Sequence, residues 1–125
     1  MAGTAVITSP TTDRYQAGGL REILFTWTAH TDGAVLISEN TGATAQSGYV
    51  ASMQTIPDAV AVPTTYTATL KLANGCVLKE ATLRSTATAE IVDVGWHVLA
   101  DLLKVTISGA GSGAQGVVRV LLRTA

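Results

Sequence analysis

Runs of alternating apolar and polar residues, separated by tight-turn dipeptides, constrain this chain more than any other feature. The clearest run covers 21–31, where every second residue from Ile23 to Ala29 is apolar. Alternation with a period of two is typical of a half-buried β-strand. Asp-Gly at 32–33 and Asn-Gly at 74–75 favour two-residue hairpin turns. The pattern therefore predicts an all-β fold. Phe25 and Trp27 are core candidates, and the residues expected to face inward on later strands are Tyr66, Ala68, Leu70, Leu72, Val118, Val120 and Leu122.

Turn signals recur about every ten residues, as they do in sandwiches and barrels. Eight or nine strands with short links predict one antiparallel two-sheet β-sandwich over 20–125, of jelly-roll or immunoglobulin-like type, although barrel closure stays open. Residues 1–19 are expected to form an extended N-terminal arm or a loose edge strand. Three local predictions are a return strand at 34–38, a loop over 80–92 that enters a strand, and a hairpin loop over 109–116.

Composition limits the classes of function. Hydrophobic residues make up 47% of the 125 residues and charged residues only 14%, against about 25% in a typical domain. Such a chain is not a disordered tail. A net charge of −1 provides no basic face for nucleic acid. Cys76 is the single cysteine, which excludes an internal disulfide framework and a cysteine-cluster zinc site, and we expect it to be a small packing residue.

No targeting or membrane segment is recognisable. The first ten residues lack a basic region and a long apolar run. The most apolar stretch, 94–107, is interrupted by His97, Asp101 and Lys104 and is shorter than the roughly 20 residues of a membrane span. We therefore expect a soluble protein from a reducing compartment, with no membrane and no nucleic acid among its partners.

Candidate catalytic and metal-binding groups do not combine into a site. His30 and His97 lie in different predicted elements without a metal-ligand spacing. Glu90 and Asp93 are three residues apart on a predicted strand and so point to opposite faces. The glycine-rich 109–116 segment leads into a strand, whereas a phosphate-binding loop leads into a helix. We expect no enzymatic activity, no cofactor and no metal.

The surface itself offers the remaining candidates. Trp96, between Gly95 and His97, has no evident place in a core and could anchor a partner. The segments 34–37, 102–107 and 117–122 are apolar on both strand faces, which favours a subunit interface that covers one face. The predicted partner-binding residues are Tyr15, Leu24, Leu36, Trp96, His97 and Leu121.

The order of these features resembles a known family. Phe25–Ala29 has an aromatic-Thr-Trp core and is followed by the Asp-Gly turn at 32–33. Pro63–Leu70 fits a Pro-Thr-x-Tyr-x-x-x-Leu pattern, and the Asn-Gly turn follows it. An aliphatic strand, a small-residue loop and a last strand with Gly-Val-Val close the chain over 103–123. In this order the chain resembles small virion structural proteins of tailed bacteriophages.

The resemblance brings no catalytic residues with it. It implies a capsid decoration (cement) protein that stabilises the outer shell as a homo-oligomer, for which a trimer is the expectation. Its partners would be copies of itself and the major capsid protein or other virion proteins, in a virion assembled in the host cytoplasm. Two alternatives stay open: a tail, baseplate or head–tail connector component, and a host-glycan-binding module that uses Trp96 or Tyr49.

Overall fold

A computed structural model describes residues 4–8, 20–41, 45–57, 65–84 and 88–123. These residues form an all-β protein, with one three-residue 3-10 turn at Ile37–Glu39 and no α-helix among them. Accordingly, none of them belongs to a helix that could cross a membrane. The strands are β1 (Thr4–Thr8), β2 (Leu20–Thr28), β3 (Asn40–Thr41), β4 (Ala45–Pro57), β5 (Tyr66–Leu72), β6 (Val77–Arg84), β7 (Glu90–Ser108) and β8 (Gln115–Arg123).

The strands are hydrogen-bonded in the order β3-β1-β2-β8-β4-β7-β5-β6. All neighbouring pairs are antiparallel except the short β1–β3 pair, which is parallel. β1 therefore lies between β2 and β3, while residues 9–19 lie outside the described part of the chain. The arm proposed for residues 1–19 stays a prediction.

The core consists mainly of the inward-facing side chains of β2, β4, β5, β7 and β8, as the alternation predicted. Apart from Leu72, which is partly buried against the core, every residue expected to face inward is buried. β4 departs from strict alternation, because Val50, Met53 and Thr55 are all buried. A register irregularity between Val50 and Ser52 moves the buried positions from even to odd numbers. A strict period of two cannot represent such an irregularity.

The predicted return strand at 34–38 is wrong. β2 is already paired with β1 on one edge and with β8 on the other, so it has no edge left for a returning strand. The chain instead leaves β2 through the Asp-Gly turn, forms a single bridge from Val35 to Ile107 of β7, and enters the 3-10 turn.

Asn40 then joins this segment to β7 through its side chain. Its Nδ2 donates to the carbonyl oxygens of Val105 (2.9 Å) and Leu36 (3.1 Å), and its Oδ1 accepts from the Val105 amide (2.9 Å). The buried carboxamide thus replaces the two backbone groups of a paired strand residue. This contact links the β3 end of the strand order to β7.

Two loop predictions are also corrected. The loop predicted over 80–92 is wrong over 80–84, which belong to strand β6 (Val77–Arg84), because pairing with β5 and burial of Ala81 outweigh weak local propensity. The 109–114 segment does not close a hairpin, since β4 lies between β7 and β8. It packs on the preceding turn, where the Ala110 amide donates to the Gly33 carbonyl at 3.0 Å.

Candidate functional site

The outer surface of the neighbouring strands β2, β8, β4 and β7 forms one continuous face, which we call the four-strand face. Directly paired residues of antiparallel strands point to the same side of a sheet, so the registers define rows across it. The rows are Arg123 with Tyr49 and His97, Glu22 with Leu121, Ser52 and Asp93, and Leu24 with Arg119, Gln54 and Ile91.

Charged side chains on the four-strand face are partly paired. Arg119 forms an ion pair with Glu22, and its Nη1 donates to the Gln54 side-chain oxygen at 3.3 Å. Asp93 and Arg123, in contrast, are exposed, and within the described residues neither has an ion-pair partner. The face therefore presents one uncompensated acid and one uncompensated base.

An aromatic pair lies at one end of this face. The rings of Tyr49 and His97 have centroids 4.9 Å apart and are tilted by 55°. Gly95 is next to them, and a Cβ atom at that position would lie 3.4 Å from the Tyr49 hydroxyl oxygen. Tyr49 thus covers a position where β7 has no side chain, an arrangement known to support glycines in sheets.

β7 contains two bulges opposite β4. Val94 and Gly95 together oppose Ala51, and Gly95 has a φ of 77°. Since a left-handed glycine is the mark of one common bulge type, this irregularity has a local cause in the sequence.

The second bulge involves Leu99 and Ala100, which together oppose Ser47. Ala100 has a φ of 51°, and its amide donates to the Ser47 Oγ at 2.8 Å. The Leu99 amide donates to a carboxylate oxygen of Asp101 at 2.9 Å. These hydrogen bonds give partners to the Leu99 and Ala100 amides, which the bulge removes from the backbone pairing with β4. They also hold Leu99 at the surface.

Exposed apolar side chains concentrate on β7. The described residues contain six large hydrophobic side chains that are exposed, and four of them belong to this strand: Leu99 (82%), Ile91 (60%), Trp96 (49%) and Leu102 (37%). Residues 90–102 of β7 pair with β4 along one edge, while β5 pairs only with 103–108. We call the exposed residues Trp96 and Leu99 on this part of the strand the β7 edge.

The predicted partner-binding residues fall into three groups. Leu24, Leu121 and His97 share the four-strand face, where both leucines are partly buried. Trp96 pairs with Val50, which points inward, so Trp96 and His97 point to opposite sides of β7. Leu36 lies apart, exposed at the start of the 3-10 turn. Tyr15 is outside the described residues.

Sequence reasoning missed several residues of these surfaces. Ile91, Leu99 and Arg123 were not singled out, and Asp93 was considered only as a candidate catalytic acid, although Gly95 inside an apolar run was a sign of a bulge. A bulge shifts which residues are exposed, so the surface could not be read without knowing its position. Cys76 is exposed, and its predicted packing role is wrong.

A shallow pocket of about 260 Å³ lies beside the Asp-Gly turn and is lined by His30, Asp32, Ala34, Leu36 and Glu39. Both the Thr31 hydroxyl (3.0 Å) and the Asp32 carboxylate (3.5 Å) approach the same ring nitrogen of His30, Nδ1. A nucleophile–histidine–carboxylate relay needs these two groups on different ring nitrogens. This pocket therefore lacks the geometry of such a relay.

Polar atoms in the interior form a second cluster. Trp27 and Tyr66 make an edge-to-face contact with centroids 5.3 Å apart. The Tyr66 hydroxyl, the Thr55 hydroxyl and the Trp27 indole nitrogen are buried without a well-formed hydrogen bond to protein. Burial is the main cause that raises the pKa of Tyr66, although the nearby Thr55 hydroxyl opposes it in part. In the described part of the chain, no three His, Cys, Asp or Glu side chains cluster in a way that could hold a metal ion.

Comparisons with known proteins give weak likenesses. No family model and no curated protein matches the chain. Among solved structures it is similar to PorU from Porphyromonas gingivalis, with a TM-score of 0.37 and 12% identity over 99% of this chain and 13% of that one. It is also similar to CapF, with a TM-score of 0.33 and 11% identity over 95% of this chain and 30% of that one. Its similarity to a protein of infectious bursal disease virus, Gt strain, has a TM-score of 0.25 and 12% identity over 97% of this chain and 32% of that one. The chain spans less than a third of each of these. Scores at this level assign neither a fold family nor a function.

Proposed function

We propose that this chain is a virion structural protein, in the first place a capsid decoration protein that binds the outer shell as a homo-oligomer and stabilises it. The observation that carries the proposal is the concentration of exposed apolar side chains on β7, a strand whose second edge has no strand partner among the described residues over 91–101. Large apolar side chains next to a free strand edge favour aggregation unless another surface covers them.

The energy available at the β7 edge suits a weak site that is repeated many times. Full burial of one large apolar side chain contributes about 1.5–3 kcal/mol. Covering the exposed parts of Trp96 and Leu99 therefore contributes about 2–4 kcal/mol per copy. Association costs about 4–15 kcal/mol, so one copy alone would bind weakly. Oligomerisation multiplies such contacts and makes attachment to a shell effective.

We further propose that the sheet folds into two packed layers, as in a sandwich. The contact between Trp27 of β2 and Tyr66 of β5 supports this arrangement, because these strands are separated by three others in the hydrogen-bonded order. A rigid body with its apolar interior filled can present an outer surface without rearranging, which is what a passive cement protein requires.

Two rival functions stay in consideration. A tail, baseplate or connector component would use the same exposed strand, and only its position in the particle differs. A glycan-binding module is favoured by the partly exposed pair Tyr49 and His97. Trp96 points to the other side of β7, so it cannot join Tyr49 in one flat sugar-binding platform.

Co-sedimentation with shells tests the proposal. Purified protein is mixed with capsid shells that were assembled without it, and the bound fraction is measured. We expect saturable binding of the unmodified chain and at least tenfold weaker binding of Leu99→Asp, because the introduced charge would be desolvated at the contact. Val77→Asp is the matched control, since Val77 is exposed on β6, which β5 separates from β7 in the strand order.

Absence of binding to shells would contradict the decoration role. Binding that Leu99→Asp and Val77→Asp weaken equally would contradict the assignment of the contact to β7. Saturable binding to a glycan, with no binding to shells, would favour the recognition module instead.

A further inference from the structure

The two uncompensated charges of the four-strand face lie too far apart to pair within one molecule. Asp93 on β7 and Arg123 on β8 are separated by two strand spacings and one row of the register. With strands about 4.8 Å apart and same-face residues about 6.7 Å apart, their Cα atoms are roughly 12 Å from each other. Within the described residues neither charge is neutralised, and a second copy of the chain can supply a partner for each.

We infer that the four-strand face is a self-contact, on which the same face of a second copy docks about a twofold axis. An axis that lies in the plane of the contact and crosses β4 between Tyr49 and Ser52 runs midway between the two charges. Rotation about it places Asp93 of each copy over Arg123 of the other, so that both ion pairs form together. A contact of this kind is isologous and needs only one self-complementary surface.

The size of the face agrees with a dimer contact. Thr26, Val117 and Ile56 form a fourth row on this face. At standard sheet spacings, four strands and four rows cover roughly 500 Å² per copy. Two copies then bury about 1,000 Å², near the lower limit for a specific interface. Partly exposed Leu24 and Leu121 supply apolar area, and Tyr49 is placed near the axis, where binding energy concentrates in interfaces.

This inference rests on the self-association part of the proposed function and assigns the surface for it. The β7 edge, with Trp96 and Leu99, stays available for a shell. A twofold contact yields dimers, whereas the sequence-based expectation is a trimer, so the mass of the assembly distinguishes the two.

Sedimentation equilibrium from about 1 µM to 1 mM tests the contact, with the unmodified chain, Asp93→Arg, Arg123→Asp and the double variant. We expect the unmodified chain to reach twice its 12.8 kDa mass. Each single variant places like charges together and should raise the dissociation constant at least about tenfold. The double variant restores both pairs with their signs exchanged, so its dissociation constant should return to within about threefold of the original. Val77→Asp is the control for an exposed charge elsewhere, and melting curves verify that each variant is folded.

A chain that stays monomeric up to about 1 mM overturns the inference, as does a double variant that associates no better than the single ones. A trimer that none of the charge variants weakens also overturns it. Binding to shells is measured separately with the same proteins. If the chain dimerises but does not bind shells, the decoration role is refuted and the self-contact stands. If it binds shells but stays monomeric, only the self-contact is refuted.

Discussion

Replacement of Asn40 by Asp tests whether the buried carboxamide holds the 34–41 segment against β7. The substitution keeps the shape of the side chain but removes both of its donated hydrogen bonds when the new carboxyl is ionised. One oxygen can still accept from the Val105 amide, while the other faces the carbonyl oxygens of Val105 and Leu36. Two lost hydrogen bonds and a buried charge with one donor should cost about 3–5 kcal/mol near neutral pH.

The pH dependence makes this prediction specific. Burial and the two carbonyl oxygens favour the neutral carboxyl, so its folded-state pKa lies above the unfolded value of about 3.9. Below about pH 4 both states are protonated, and the remaining O–H can donate to Val105, which leaves a cost of about 1 kcal/mol. As the pH rises, the unfolded state releases its proton first. The free energy of unfolding then falls by about 1.4 kcal/mol per pH unit until the folded-state pKa is passed.

Urea denaturation at several pH values from 4 to 8, followed by tryptophan fluorescence, measures the difference from the unmodified protein. Asn74→Asp is the matched control, because Asn74 is exposed and only accepts a hydrogen bond, from the Cys76 amide at 2.9 Å. We expect the control to change stability by less than about 0.5 kcal/mol. A cost for Asn40→Asp that is independent of pH, or equal to that of the control, would refute the bridging role of Asn40.

Three further substitutions test other parts of the fold. Gly116→Ala should destabilise the protein by about 2–4 kcal/mol in urea denaturation, since its Cβ would lie 2.6 Å from the Trp27 ring; a change below 0.5 kcal/mol would contradict that packing. Ala100→Gly should raise the midpoint of thermal unfolding by relieving about 1 kcal/mol of left-handed strain, and a lowered midpoint would argue against the second bulge. Tyr66→Phe should be close to neutral at pH 7, because the hydroxyl has no well-formed hydrogen bond. The raised pKa of Tyr66 means that the unfolded state ionises first, so the unmodified protein should lose stability above about pH 10 and Tyr66→Phe should lose less; equal losses would contradict the raised pKa.

Alternation was sufficient to predict the all-β class and most of the core. Ile23, Phe25 and Trp27 on β2, and Val118 and Val120 on β8, are buried as their spacing indicated. These strands are regular along the pairings that bury them, so each residue has the environment that a period of two implies.

The partners of the strands could not be predicted in the same way. The Asp-Gly turn after β2 was a sound turn signal, but it does not lead back to β2, because β1 and β8 occupy both edges of that strand. Strand order is decided by contacts between distant residues, which a local pattern does not contain. The link from Asn40 to Val105, 65 residues away, has no local signal at all.

The candidate surface was only partly predictable for a related reason. Trp96 and His97 were recognised as unusual residues, and they do lie on the strand with the most exposed apolar groups. The bulges at Gly95 and Ala100 decide which of their neighbours are exposed, and a bulge position depends on the facing strand. The exposure of Leu99, and the place of Asp93 on the four-strand face, therefore became visible only in the structure.

Electron cryomicroscopy of native particles from the source of this chain tests the central claim, that β7 and the four-strand face are covered by a shell and by copies of the chain. We expect density for the β domain on the outside of the capsid, at joints between shell subunits, with Trp96 and Leu99 buried against the shell. Particles that lack the chain, or that carry it with β7 facing solvent, would contradict this expectation.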